Sequence, residues 1–175
     1  MLFRSGFFDK LFGGKVAAQT KFSGEKMTVM SPIDGKVIPL DQLPDETFAS
    51  AILGPGCGIE PTGDTVYAPF DGTVTQVPES LHAVGMMSDD GIELLIHVGM
   101  DTVEMKGKGF ESLTKEGAKV KAGTPLLKVD LAAIRAANHP TATAIIVTNG
   151  DDLPEMTVAA SGDVPAGTPM LRFKA

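Results

Sequence analysis

Tryptophan is absent from this sequence, tyrosine and cysteine occur once each, and 15 Lys and Arg face 22 Asp and Glu. Each shortage closes off a class of function. A single cysteine, Cys57, cannot form an internal disulfide, which fits a reducing compartment. A formal net charge of −7 opposes the phosphate backbone of nucleic acid, so no nucleic-acid partner is expected. No apolar stretch reaches the roughly 20 residues needed to span a bilayer. In the apolar N-terminal segment, Arg4, Asp9 and Lys10 break the uninterrupted core that a secretory signal needs. Phe3, Phe7, Phe8, Leu11 and Phe12 recur there at helical spacing, and Gly13-Gly14 ends the run. Residues 1–14 therefore read either as an amphipathic helix in weak contact with a membrane surface or as a terminus that frays or packs on the domain.

What the chain has in quantity is turn formers, with 20 Gly and 12 Pro in 175 residues. They fall in repeats. Ser31-Pro-Ile-Asp-Gly-Lys-Val-Ile38 and Ala68-Pro-Phe-Asp-Gly-Thr-Val-Thr75 share Pro, Asp, Gly and Val, 37 residues apart. Ala122-Gly-Thr-Pro-Leu-Leu-Lys-Val129 is answered by Ala166-Gly-Thr-Pro-Met-Leu-Arg-Phe173. Each motif places a tight turn before a strand, so the pairs imply a duplicated supersecondary unit. Strands are expected over Gly35–Leu40, Thr73–Val77, Ala83–Met87, Ile92–Met100, Pro125–Val129, Ala144–Thr148, Met156–Ala160 and Met170–Phe173. Helical signals are few: Asp130–Ala137 opens on a good N-cap and stops before Pro140, and Pro44–Phe48 suits a single turn. The expected fold is all-β, an antiparallel sandwich or barrel built from a duplicated motif, with one or two short helices. Residues 28–175 form its single domain and residues 1–27 an N-terminal extension.

Of the three histidines, His97 has the most informative setting. In Gly91-Ile-Glu-Leu-Leu-Ile-His-Val-Gly-Met-Asp101 a period of two puts Ile92, Leu94, Ile96 and Val98 on the core face. Leu95, His97 and Gly99 then share the outer face, where another molecule can approach the imidazole. A histidine seen alone is more often structural or solvated than chemical. His82 changes that balance. A hairpin turn centred on Asp89-Asp90 puts His82 opposite His97, with Ser80 two residues away on the same side. His139, before Pro140, reads as a cap on the C-terminus of the expected helix.

Gly91-x-x-Leu-Leu-Ile-His-Val-Gly-Met-Asp-Thr-Val103 resembles the active-site signature of the glucose-family IIA components of the bacterial phosphoenolpyruvate-dependent sugar phosphotransferase system. Gly107-x-Gly-Phe110, Pro61-Thr-Gly63 and Tyr67-Ala-Pro-Phe-Asp-Gly72 are similar too, and the resemblance covers roughly residues 28–175. It implies a cytoplasmic phosphocarrier without cofactor or metal. His97 would take the phosphoryl group from the histidine-carrying protein HPr and donate it to a cysteine of the IIB component of a sugar permease. His82 would stabilise the phosphorylated state, and Ser80, where the family usually has threonine, would orient His82 or bond the phosphate. Asp101 would repel the phosphate or pair with a partner's arginine, and Phe48, Ile52, Leu53, Leu95 and Val103 are candidates for an apolar docking face.

Three rivals come from other classes. A zinc hydrolase wants three protein ligands, usually with a His-x-His pair, and no such pair occurs here; zinc held in a complex by the two histidines and a carboxylate such as Glu155 stays open. A biotinyl or lipoyl carrier wants its lysine in a hairpin between methionines, which Met105-Lys106-Gly107 matches poorly. A purely regulatory binding module stays open as an additional role.

Overall fold

The computed structural model describes residues 22–174, so the N-terminal apolar run lies outside the described residues. Fourteen strands occupy Thr28–Met30 (β1), Gly35–Ile38 (β2), Gly56–Pro61 (β3), Thr65–Tyr67 (β4), Gly72–Gln76 (β5), Ala83–Ser88 (β6) and Glu93–His97 (β7), then Phe110–Ser112 (β8), Lys119–Val120 (β9), Pro125–Val129 (β10), Thr143–Val147 (β11), Met156–Val158 (β12), Gly162–Val164 (β13) and Pro169–Phe173 (β14). Among the described residues the strands are joined by two short helices, Glu46–Ala49 (α1) and Leu131–Ala136 (α2), and three 3-10 turns. All pairings are antiparallel, in an eight-stranded sheet of order β13-β2-β3-β11-β7-β6-β5-β9 and two three-stranded sheets, β1-β14-β12 and β4-β10-β8.

The sequence repeats explain this order, because they bond to each other. Ser31 N–H donates to the Thr168 carbonyl and Gly167 N–H to the Ser31 carbonyl, at 2.7 and 2.9 Å. The Asp34 carboxylate accepts the Ala166 N–H at 2.7 Å. In the second copy, Ala68 N–H donates to Thr124 and Gly123 N–H to Ala68, both at 2.8 Å, and Asp71 accepts the Ala122 N–H at 2.8 Å. Each Pro-x-Asp-Gly turn is thus clamped by one Ala-Gly-Thr-Pro turn. The registers repeat as well: Val29 faces Leu171, and Leu171 faces Val158, as Val66 faces Leu127 and Leu127 faces Ser112. One half comprises β1–β3 and β11–β14, the other β4–β10, and they join where β11 pairs with β7.

Alternation along the strands fills the core between sheets. Ile92, Leu94, Ile96 and Val98 are all buried there, with Cys57, Ile59, Val84, Met86, Ile145, Leu126 and Leu171. A second, smaller cluster lies on the opposite face of the large sheet. It joins Leu43, Phe48, Met100, Ala142, Ala144 and Ile146, with Leu95 packed against it. The long β2–β3 connection makes that cluster, because it carries α1 across the sheet face. Asp45 caps α1 by accepting the Thr47 N–H at 2.9 Å.

Several expected boundaries move. The strand through His97 stops at His97 instead of Met100, because Gly99 (φ +74°) and Asp101 (φ +58°) turn the chain away. The expected helix at 130–137 forms, with Asp130 accepting the Ala133 N–H. Its C-terminus is closed by the backbone N–H of His139 on the Ile134 carbonyl, while the His139 ring lies 3.9 Å from Glu104. His139 therefore caps the helix as expected, through its backbone N–H and not its ring.

Candidate active site

His97 ends β7 between two alanines, facing Ala83 of β6 and Ala144 of β11 in the sheet register. Small neighbours on both sides leave room for a ring on the outer face. The imidazole is fixed from one side only: Nδ1 lies 2.9 Å from the Gly99 carbonyl oxygen. A carbonyl can only accept, so Nδ1 carries the hydrogen and Nε2 keeps its lone pair. Gly99 supplies that carbonyl from a left-handed turn where a Cβ would stand 2.5 Å from the Thr102 methyl and 3.0 Å from the Pro140 oxygen. Met100 N–H on the Pro140 carbonyl and Thr102 Oγ1 on the Val98 carbonyl hold the turn itself.

The Phe48 ring packs on the imidazole, centroids 4.9 Å apart and tilted by 53°. His82 meets it edge-on, at 4.7 Å and 81°. His82 in turn places Nδ1 2.7 Å from Ser80 Oγ. Burial pushes the His97 pKa below the ordinary histidine value, against smaller opposing effects of the Gly99 carbonyl, Asp45 and Asp101. Burial, then the neighbouring His97, lowers the His82 pKa to about 4. Both rings are therefore neutral at pH 7, and a neutral imidazole with a free Nε2 is a nucleophile.

The structure brings His97, His82 and Ser80 together but corrects how they meet. Ala83, not His82, stands directly across from His97, one residue off the expected register. Phe48, expected on a docking surface, is buried and serves as the wall behind His97. Leu95 is half-buried on the same small cluster, whereas Asp101, Val103 and Ile52 are exposed. Ile52 lines a shallow hollow with Gly54, Pro55, Thr148 and Asp151. Sequence reasoning misses Asp45. Its only signal there is that of an N-cap, yet its charge acts on His97. Among the described residues no three His, Cys, Asp or Glu side chains converge as a metal site would require, and no helix is long and apolar enough to cross a membrane.

A duplicated β-sandwich bearing a neutral, singly tethered imidazole with a second one at its edge defines a class of group-transfer domain. Comparison with known proteins gives it a family. Residues 27–153 match the family model of the phosphoenolpyruvate-dependent sugar phosphotransferase system, EIIA 1. The chain is 36% identical to the glucose-specific EIIA component of Haemophilus influenzae, over 93% of this chain and 94% of that one. It is 41% identical to the mannose-specific EIIBCA component of Corynebacterium glutamicum, over 90% of this chain and 23% of that one. The glucose permease IIA of Mycoplasma capricolum superposes with a TM-score of 0.77 at 33% identity, covering 82% of this chain and 93% of that one. The chain belongs to the EIIA 1 family of the sugar phosphotransferase system, as a domain of the glucose type. It spans under a quarter of the length of the first curated relatives it matches, which carry further components.

Proposed function

We propose that residues 28–175 act as a cytoplasmic phosphocarrier that takes a phosphoryl group from phospho-HPr onto Nε2 of His97 and passes it to a cysteine of a IIB permease domain. The carrying observation is the Nδ1 bond to the Gly99 carbonyl, which leaves Nε2 as the free lone pair. In the first step that lone pair forms a new N–P bond as the N–P bond of the donor histidine breaks, and the bonding pair returns to the donor ring. In the second, a cysteine thiolate forms an S–P bond while the His97 N–P bond breaks. Neither step needs a metal from this chain; positioning and charge stabilisation carry them.

His82 donates from Nε2 to a phosphoryl oxygen. A neutral ring does this only if its Nδ1 accepts, and the Ser80 hydroxyl supplies that hydrogen across 2.7 Å. Asp45 and Asp101 repel a dianionic phosphate and attract a partner's cation, which favours a loaded domain letting go of its group once docked. Val103 and Ile52, at 53% and 77% exposure, are apolar side chains free to meet a partner.

Incubation with phosphoenolpyruvate, Enzyme I and HPr should place an acid-labile, alkali-stable phosphate on the chain, and His97→Ala should carry none. A wild-type chain that stays unlabelled defeats the proposal. His82→Gln should load from HPr but deliver poorly to a IIB domain; undiminished delivery removes His82 from the mechanism.

A further inference from the structure

Sheet alternation alone would put His82 on the wrong side. Ala83 stands opposite His97, and Val84 and Met86 of the same strand are buried in the main core. One residue before Ala83, a continued strand would send the His82 side chain toward that core. Its backbone does continue the ladder, since the Val98 N–H donates to the His82 carbonyl at 2.8 Å. Its ring nevertheless lies edge-on to His97 on the outer face.

Between Ser80 and His82 stands Leu81, with φ +58°. Leucine rarely adopts this left-handed conformation, because Cβ crowds the following carbonyl oxygen. The other half of the sheet has a glycine at the matched position. There the Val147 N–H donates to the Pro55 carbonyl at 2.8 Å, and the residue before Pro55 is Gly54, with φ +141°. Glycine has no Cβ to crowd; leucine has one and keeps the left-handed turn. Two interactions hold it there. The Leu81 N–H donates to the Pro78 carbonyl at 2.9 Å, closing a four-residue turn, and the side chain packs against the main core. Core packing that over-determines a disfavoured backbone often marks a functional position.

We propose that Leu81 is a positioning residue for the histidine pair: its left-handed backbone swings His82 away from the core side and onto His97, within reach of Ser80, and its core-packed side chain locks the turn. The consequence for transfer rests on the phosphocarrier reading, whereas the placement of the ring does not. Asparagine tolerates the left-handed region and a β-branched residue resists it. Exchange of Leu81 should therefore sort by backbone preference more than by the apolar surface removed.

The experiment is a nuclear magnetic resonance pH titration of the His82 ring, whose facing groups are Ser80 and His97, in the full chain and in Leu81→Asn and Leu81→Val. Wild type should titrate at about 4, Leu81→Asn close to it, and Leu81→Val about one unit or more higher, as the ring leaves its buried place. Delivery of phosphate to a IIB domain should fall about tenfold in Leu81→Val and recover in Leu81→Asn, while loading of His97 from HPr persists in both. An unshifted Leu81→Val, or equal shifts in the two variants, overturns the proposal. If circular dichroism shows Leu81→Val unfolded, Leu81→Ala replaces it. Alanine gives up the same apolar packing as asparagine without its left-handed tolerance, so equal titration of these two is again fatal. Failure of the phosphocarrier reading would show separately, as a wild-type chain that takes no label while the titration contrast remains readable.

Discussion

In one half of the large sheet the Val98 N–H bonds the His82 carbonyl; in the other, the Val147 N–H bonds the Pro55 carbonyl at the same 2.8 Å. Across from them stand Ala83 with His97, and Gly56 with Ile146. The backbones at the two places are built alike, and only one carries chemistry. Duplication supplies a strand end that can hold a ring outward; it does not supply reactivity. Reactivity needs three further things, all gathered around His97: a carbonyl that fixes Nδ1, a second imidazole with a hydroxyl behind it, and a wall of apolar side chain. The wall comes from the opposite half, since Phe48 sits in the β2–β3 connection. Its β5–β6 counterpart runs only from Val77 to His82 and carries no helix. The site is therefore shared between the repeats.

The sharpest way to break the comparison is to remove the outward residue from each half. His97→Ala should abolish phosphate uptake. Ile146→Val, at the matched position, should leave uptake intact and cost about 1 kcal/mol of stability, read from urea unfolding. Loss of uptake in both would mean that the active site extends across the sheet to the second repeat.

Next in size is a difference in backbone room. A Cβ on Gly56 would stand 1.9 Å from the Ile145 carbonyl oxygen, whereas the matched residue, Ala83, already carries one. A carbonyl in the sheet ladder cannot step aside without breaking pairing. Gly56→Ala should cost about 3 kcal/mol, and Ala83→Gly under about 1 kcal/mol. Similar costs would mean the two halves are packed more alike than the register of close approaches implies.

Acid should separate the halves as well. In the unfolded chain His82 titrates near 6.5, and in the fold at about 4. Between those values the unfolded state holds the additional proton, so stability is full above pH 6.5 and falls as pH drops toward 4. His97, lowered in the same direction, adds to the slope. The matched places hold Pro55 and Ile146, which do not titrate. Urea midpoints should therefore drop on acidification, and His82→Gln should flatten the decline. An unchanged slope would assign the acid sensitivity to His97 or to carboxylates instead.

The duplication is readable in the sequence because both turn motifs use residues with a strict backbone purpose, and the clamp partners preserve them. The core face of β7 is readable from its period of two. The strands β1, β3, β4, β8, β9 and β13 are not. β3 illustrates the reason: Pro55-Gly-Cys-Gly58 suits a turn as well as a strand, and its glycines are there because carbonyls and side chains crowd it in the middle of the sheet. A regular hairpin anticipates the pairing of His82 with His97 but places His82 one residue away from its observed register. Leu81 reconciles the two, and nothing in a leucine announces a left-handed backbone. Phe48 and Asp45 reach His97 only through a connection folded across the sheet, an approach that local patterns do not encode.

The smallest effect tests whether the halves are equivalent where chemistry is absent. Asp34 and Asp71 each accept one backbone N–H from the clasping turn, at 2.7 and 2.8 Å. Asp71 also faces Lys121 at 4.0 Å, but that pair is largely exposed and adds little. A hydrogen bond to a charged acceptor contributes about 1.5 kcal/mol net, so Asp34→Ala and Asp71→Ala should each cost about that much. Phosphate uptake should survive both changes. Asn in either position keeps an acceptor oxygen without the charge and should recover about half of the loss. If Asp71→Ala proves more costly by over about 1 kcal/mol, the clamp beside β5 and β6 does more than its twin. The half that bears His82 and His97 would then be held more firmly than the half that does not, and scaffold as well as chemistry would have diverged after duplication.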